Sequence, residues 1–317
     1  MFFCFFFPIL KTVVFDSSIN IQKLTSNSKM ISTNNYIQGA SVSPSLPSPC
    51  PHALHLTIVE SILQINNDGV SLLRAGNNKS AMVRLARCLA LMKSNPIEGD
   101  RQVRYQFIRS STTIHTNGSL SRTSPRYVFG SPIEVITFDK TDMACSSSCS
   151  DNYSEPQTCK LLSIILFNLS LAHHLWALEL NETFQRNANE EINQNQEVCS
   201  VLSKALRLYE LCHSSLIFTS SGMLCADLTI AVVVTNNVGE VHKELDYQRS
   251  QHEQRFHPPK NHEYECCKTA LACSEQLVQI FMFFTANGEA KRLEDLGDVL
   301  SNAMATLNGS QVVAPAA

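Results

Sequence analysis

Histidine and cysteine are the side chains in this chain that could act as a general base, a nucleophile or a metal ligand. His173 and His174 are adjacent in a long apolar run, and His242 stands in a similar segment further on. A histidine works as a general base only with a partner within hydrogen-bond reach, and none is identifiable near these residues. His173 and His242 recur where a helical repeat places a core-filling residue, so packing is their predicted role. His174 stays a candidate for a binding surface.

The 12 cysteines form no recognisable metal site. Structural zinc sites usually show paired short spacings such as Cys-x2-Cys. The nearest approximations are Cys145, Cys149 and Cys159, and His262, Cys266, Cys267 and Cys273. Because neither group has that spacing, we predict no metal and no cofactor. Phosphate-binding, dinucleotide-binding and nucleophile-elbow motifs are also missing from the sequence, so no catalytic residue is predicted.

An asparagine recurs in three similar segments, each followed two residues later by a small residue. The three pairs are Asn67 and Gly69, Asn168 and Ser170, and Asn237 and Gly239. Asparagine lowers the stability of a helix interior by several tenths of a kcal/mol relative to alanine, so its recurrence at three equivalent positions indicates a specific role. Two explanations stay open. The amides are bonded to the backbone of a neighbouring helix, because buried amides need partners, or they form a ladder that grips the main chain of an extended peptide.

Helices of this kind would line one concave surface, and we predict that a partner binds there. The predicted partner-binding residues are Asn67, Asn168, Leu171, His174, Leu175, Asn236, Asn237, Glu240 and Lys243. This surface is apolar at its middle and mixed in charge at one end. The predicted partner is therefore a protein or peptide segment, extended or helical, with one or two apolar anchors. The net charge of −3 with no basic block argues against a nucleic acid.

The elements that hold these residues are predicted to be three helical hairpins. Residues 161–180 (LLSIILFNLSLAHHLWALEL) are apolar almost all round, and such a helix is enclosed by neighbours. A first hairpin is predicted from residue 56 to Lys93, with its turn at Gly76. The second helix of each hairpin carries a triplet of small, large and small residues. In the first hairpin, Gly69 on the first helix lets Ala81 and Leu85 on the second helix approach closely. The triplets are Ala81/Leu85/Cys88, Ala205/Tyr209/Cys212 and Cys267/Leu271/Ser274.

Segments outside the hairpins are assigned by composition. Asn181–Glu197 and Asp246–Glu265 are polar without apolar periodicity and are predicted to be inserted loops. Arg126–Phe138 alternates like a strand, but Pro132 and the absence of a partner strand favour an extended segment docked on the helices. A helix at Ala290–Leu307 is predicted to cap the array.

Five regions result from these assignments. They are a tail at 1–52, a hairpin at 53–96, a linker at 97–158, two hairpins and a capping helix at 159–309, and a tail at 310–317. The first region is rich in Ser, Asn, Thr and Pro and is predicted to be disordered. Met1–Leu10 is apolar but far shorter than the roughly 20 residues of a membrane span. The dispersed cysteines favour a cytoplasmic or nuclear protein, with a secretory or plastid leader, or a misplaced start, as alternatives.

The residues of the first hairpin resemble a known repeat. Gly69, Leu72, Gly76, Ala81, Leu85 and Cys88 stand at the spacings of the tetratricopeptide repeat. With the FNLSLAHH and KALRLYEL runs and the closing APAA, residues 56–317 resemble tetratricopeptide-like proteins predicted in diatoms. The resemblance implies an all-α fold of stacked hairpins, an α-solenoid, and an interaction role with no known activity. We therefore predict a non-enzymatic protein-binding scaffold. The alternative is a regulatory repeat domain with a hydrolytic or metal-dependent activity.

Overall fold

The computed structural model describes residues 51–95, 101–108, 114–115, 127–140, 157–186, 191–219, 228–256, 265–288, 291, 293 and 296–311. The chain divides into two compact units, Met1–Leu54 and His55–Ala317. Every described residue of the buried core belongs to the second unit. Almost all of the predicted N-terminal tail and most of the C-terminal tail lie outside the described residues.

The described part of the chain is mostly helical, which confirms the predicted class. Each helix after the first packs against the next one along the chain. The helices are α1 (Pro51–Arg74), α2 (Asn78–Ser94), α3 (Gln157–Arg186), α4 (Glu191–Thr219), α5 (Leu228–Phe256), α6 (Glu265–Ala286) and α7 (Gly297–Gln311). The turn between α1 and α2 is at Gly76, whose φ of 72° suits glycine. Asn77 then caps α2 by accepting from the Ser80 N–H at 3.3 Å.

Helix α3 lies at the centre of the core, as its all-round apolar sequence predicts. Ile164, Ile165 and Phe167 are fully buried, and so are Leu171 and Ala172 two turns further along the helix. It packs against α2 on one side and α4 on the other. Burying a side chain of this size contributes about 1.5–3 kcal/mol, so α3 supplies much of the folding free energy.

The prediction of long inserted loops is wrong for most of both segments. Helix α3 continues to Arg186 and α4 begins at Glu191, so most of Asn181–Glu197 is helical. Helix α5 likewise reaches Phe256, well into the second polar segment. The physical reason is polar packing between the helix ends. Asn181 of α3 donates to Glu244 of α5 at 3.1 Å, and buried Gln248 donates to the same carboxylate at 2.9 Å.

The extended segment has a partner strand, contrary to the prediction. Strands β1 (Arg101–Phe107) and β4 (Ile133–Lys140) pair antiparallel, and β2 (Ile114–His115) pairs with β3 (Tyr127–Val128) in the same sense. The signal for β1 is its period-two alternation of Val103, Tyr105 and Phe107. Pro132 has no N–H to donate, and its carbonyl accepts from the Ile108 N–H at 2.8 Å.

Close approach between α1 and α2 depends on Gly69, as the sequence predicts. A Cβ at this position would lie 2.7 Å from the Leu85 side chain. Ala81, Leu85 and Cys88 are all fully buried on the facing side of α2. In the second hairpin the predicted triplet Ala205, Tyr209 and Cys212 is buried in the same way.

The third predicted triplet is wrong at its large residue. Leu271 is only half-buried, whereas Ala270, Cys273 and Leu277 are buried along with the predicted Ser274. The contact that fixes this register is Gly239 of α5, whose added Cβ would lie 3.3 Å from the Cys273 Cβ. The predicted capping helix also begins later than expected, at Gly297. Leu293, Leu296 and Val299 are nevertheless buried, as its apolar face requires.

Among the residues that the structure describes, two helical stretches are long and apolar enough to cross a membrane by length and composition. In Cys159–Phe184, 83% of the most apolar window is buried inside the protein, as in a core helix. In Lys268–Ala286 the buried share is 33%.

We expect Gly69→Ala to lower the free energy of unfolding by about 1–3 kcal/mol, because the new methyl overlaps Leu85. The helix propensity of alanine acts in the opposite direction by up to about 1 kcal/mol. Gly297→Ala is the matched control, since an added Cβ there meets nothing within 4 Å. Denaturant unfolding measures both. Equal stability of the two variants would contradict the close approach, and Leu85→Ala should reduce the cost of Gly69→Ala when the two are combined.

Candidate functional site

Three asparagine side chains bind the main chain of one extended segment, and each contacts both polar groups of a single residue. Asn67 accepts from Val135 N at 3.1 Å and donates to Val135 O at 2.8 Å. Asn168 makes the same pair with Ile133, at 2.8 and 2.7 Å. Asn237 makes it with Phe129, at 2.9 and 3.2 Å. We call Asn67, Asn168 and Asn237 the amide ladder and residues 127–135 the ladder segment.

The pleat of β4 explains why these groups face the helices. Successive residues of a strand turn their N–H and C=O to opposite edges. Pro132 bonds to β1 through its carbonyl, so Ile133 and Val135 turn theirs away from β1. A side-chain amide carries one acceptor oxygen and an NH2 donor group, the same chemistry as a peptide group. The amide ladder therefore pairs with the ladder segment in place of a third strand.

The spacing along the ladder segment is set by geometry. Consecutive ladder asparagines bind residues two apart and then four apart, at Val135, Ile133 and Phe129. Within β4, between Ile133 and Val135, an odd step would turn the peptide groups to the other edge, whereas Phe129 and residues 130–132 precede this strand. Packed helices lie about 8–10 Å apart, whereas two strand residues span about 7 Å and four span about 13 Å. Neither a two-residue nor a four-residue step matches the spacing of packed helices, so the segment uses one step of each length. Gly130, Ser131 and Pro132 lie within the longer step.

Neighbouring amides complete the network. Asn66 donates to Asn67 Oδ1 and accepts from Asn168 Nδ2, both at 3.1 Å, which joins α1 to α3. Asn236 donates to Tyr127 O and to Asn237 Oδ1, also at 3.1 Å. Asn237 in turn donates to the Tyr209 hydroxyl at 3.0 Å. Sequence reasoning did not single out Asn66 or the Tyr209 hydroxyl, although the doubled asparagines at 66–67 and 236–237 were a signal.

The network is buried, which decides its energetics. Asn168 and Asn237 are 0% exposed, and Phe129, Ile133 and Val135 are buried beside them. Hydrogen bonds are stronger in a low-dielectric interior, and an unpaired polar group there costs about 1–3 kcal/mol. Losing Asn67 or Asn237 would leave both the N–H and the C=O of the bound residue without this partner, whereas losing Asn168 would leave the Ile133 carbonyl with its 3.4 Å bond from Asn66.

Apolar side chains hold the ladder segment from its other faces. The Phe129 ring stands edge-on to Phe107 of β1, with ring centres 5.4 Å apart, and Phe107 stands edge-on to Phe167 of α3 at 6.3 Å. Ile133 and Val135 belong to the same core cluster. The segment therefore fits by three apolar residues in the pattern Φ-x3-Φ-x-Φ, where Φ is an apolar side chain.

Several residues predicted to line an open groove are buried instead. Leu171, Leu175 and His174 lie in the core, and the His174 ring stands edge-on to Tyr209. Glu240 is also buried, where it pairs with Lys243 and accepts from Asn302 of α7 at 2.9 Å. Their placement on an accessible surface is therefore wrong, because α7 and the core cover them. The predicted Asn67, Asn168, Asn236 and Asn237 do share one site, on the ladder segment.

Three histidines are neutral at pH 7, His213 in the core and His173 and His242 at half-buried positions. Burial lowers the pKa of His173, His213 and His242 to about 4, and Lys204 and Arg249 add to the effect at His173 and His242 respectively. Sequence reasoning did not single out His213.

Buried thiols act as structural donors. Cys88 and Cys212 each donate at 3.2 Å to a helix carbonyl five residues before a ladder asparagine, on Ile62 and Ser163. Burial raises the pKa of Cys88 and Cys273 to about 12, so these groups are poor nucleophiles. Within the described ranges no three His, Cys, Asp or Glu side chains converge as a metal-binding group. Cys145, Cys149 and His262 lie outside those ranges.

No family model, curated protein or solved structure matches this chain.

We expect Asn168→Leu to lower the free energy of unfolding by about 2–5 kcal/mol. Ile133 N and Asn66 Oδ1 both lose the partner that Asn168 provides, and Ile133 O keeps only its 3.4 Å bond from Asn66. In Asn168→Asp the carboxylate keeps the acceptor but loses the donor, and burial raises its pKa. A protonated carboxyl donates again, so the deficit of Asn168→Asp relative to the native chain should shrink from pH 7 to pH 5. Asn308→Leu, at an exposed position, is the control. Denaturant unfolding that placed Asn168→Leu near the control would contradict the ladder.

The buried histidines predict an acid-sensitive fold. Their folded pKa of about 4 lies below the unfolded value of about 6.5, so the unfolded chain binds more protons between these values. The free energy of unfolding should therefore fall as pH drops from about 6.5 to 4, by up to about 3 kcal/mol per histidine. Denaturant titrations across this range should show a shallower fall for His213→Phe than for the native chain. Identical slopes would mean that His213 is accessible to protons in the folded state.

Proposed function

We propose that this chain is a non-enzymatic protein–protein interaction scaffold of the tetratricopeptide-like helical-repeat kind. Its binding site is the amide ladder on the first helix of each of three hairpins, α1, α3 and α5. The observation that carries the proposal is the paired contact of each ladder asparagine with both N–H and C=O of one residue. Such contacts recognise main chain and accept any sequence that can lie extended.

The ladder favours an extended peptide over a helical one. In a helix the interior N–H and C=O groups already bond to each other, so none is left to meet a side-chain amide. An extended strand presents both groups of every second residue to one edge. Main-chain contacts would supply affinity, and the apolar pockets filled here by Phe129, Ile133 and Val135 would supply specificity.

The proposed setting is the cytosol or nucleus. Cys88, Cys199 and Cys273 are reduced thiols. Reduced thiols are usual in those compartments, which supports this location.

Proximity labelling in the native cell, followed by tiling each recovered protein as 15-residue peptides, tests the proposal. We expect one short tile with the Φ-x3-Φ-x-Φ pattern to bind purified protein, and proline at the central Φ to weaken it at least 10-fold by removing one ladder hydrogen bond and straining the strand. Proline at a residue outside the pattern is the control. Partners that bind only as folded domains, with no active tile, would contradict the proposal, as would stoichiometric zinc in the purified protein.

A further inference from the structure

We propose that the ladder segment is a resident ligand that competes with external peptides for the amide ladder. This inference rests on the proposed function and adds a regulation to it. An external partner would share the chemistry of the segment: seven residues in extended conformation, apolar at the first, fifth and seventh positions, as in Phe129, Ile133 and Val135.

The contacts that hold the segment are transferable. All six ladder bonds go to main-chain atoms, so they would form with any strand in the same register. The even steps of two and four residues fix that register for the segment and for a competitor alike. Specificity is left to the three apolar side chains of the pattern and to Val128, which is also buried, while Glu134 is half-buried and Ile136 is 54% exposed.

Holding a strand through three asparagines carries a cost in stability. Each asparagine lowers helix propensity, and buried polar networks are often no more stabilising than apolar packing of the same volume. What such a network adds is a defined register and a sequence-tolerant grip. A permanent strand would also need its inner peptide groups paired, but pairing them through side chains that accept any sequence in this register also allows one strand to replace another.

Competition within the chain predicts a masked affinity. A tethered ligand acts at an effective concentration in the millimolar range, and a site that is rarely vacant binds external ligand with a correspondingly weakened apparent Kd. Weakening the resident segment should therefore tighten binding of an external peptide without any change in the helices.

The test uses the full chain and a fluorescein-labelled peptide of residues 126–137 (RYVFGSPIEVIT) in anisotropy titrations. Ile133→Pro in the protein removes the N–H that Asn168 binds and leaves every helix residue unchanged. We expect this variant to bind the peptide at least 10-fold more tightly than the native chain. Adding Asn168→Leu to the variant should reverse the gain at least 10-fold. A peptide carrying the same Ile133→Pro change is the matched control and should bind neither protein.

The outcomes separate the two proposals. Equal binding to the native chain and the Ile133→Pro variant would overturn competition but leave the scaffold function standing. No binding to either protein, with the variant folded, would overturn both. If Ile133→Pro unfolds alone, refolding on addition of the peptide, seen by circular dichroism, supports a transferable strand. Failure to refold would show that the segment is a fixed part of the core and overturn the inference.

Discussion

The structure depends on one requirement: a strand laid across helices has peptide groups on its inner edge that no other strand can satisfy. Left unpaired in the core, each of these groups would cost about 1–3 kcal/mol. Asn67, Asn168 and Asn237 meet the requirement two groups at a time. The ladder segment joins the core through these side chains, and the helices are joined to one another through the segment.

The arrangement of the helices is a consequence of this constraint. The first helices of the hairpins lie side by side, since Asn168 of α3 bonds to Asn66 of α1 at 3.1 Å. Asn302 extends the network to α7 by donating to Asn236 at 3.0 Å. The second helices pack on the opposite side, where Gly69 and Gly239 leave no room for a Cβ without displacing Leu85 or crowding Cys273. On α1 and α5, one face of the helix therefore carries the asparagine that binds the ladder segment. Another face carries the glycine, two positions later, that packs against the second helix of the hairpin.

Sequence patterns predict the parts of this fold that depend on local periodicity. The all-round apolar run of α3, the turn at Gly76 and the small-large-small triplets of α2 and α4 each reflect contacts within one hairpin. Polar helix ends were missed because the Asn181–Glu244 bond that stabilises them joins residues 63 apart. The recurrence of asparagine was readable, but its partner was not, because the distance between Asn237 and Phe129 in sequence is 108 residues. The periodicity of apolar residues within one segment does not predict contacts between residues so far apart in sequence.

An occupied ladder and an empty ladder differ in more than one lost contact. Removing the segment would expose the half-buried amide of Asn67 and the buried amides of Asn168 and Asn237, together with the pockets of Phe129, Ile133 and Val135. Water can replace hydrogen bonds but cannot fill apolar pockets at low cost. A competitor would therefore have to enter as the segment leaves, one residue pair at a time along the register. The amide ladder suits such stepwise exchange, because each asparagine binds one residue of either strand with the same two bonds.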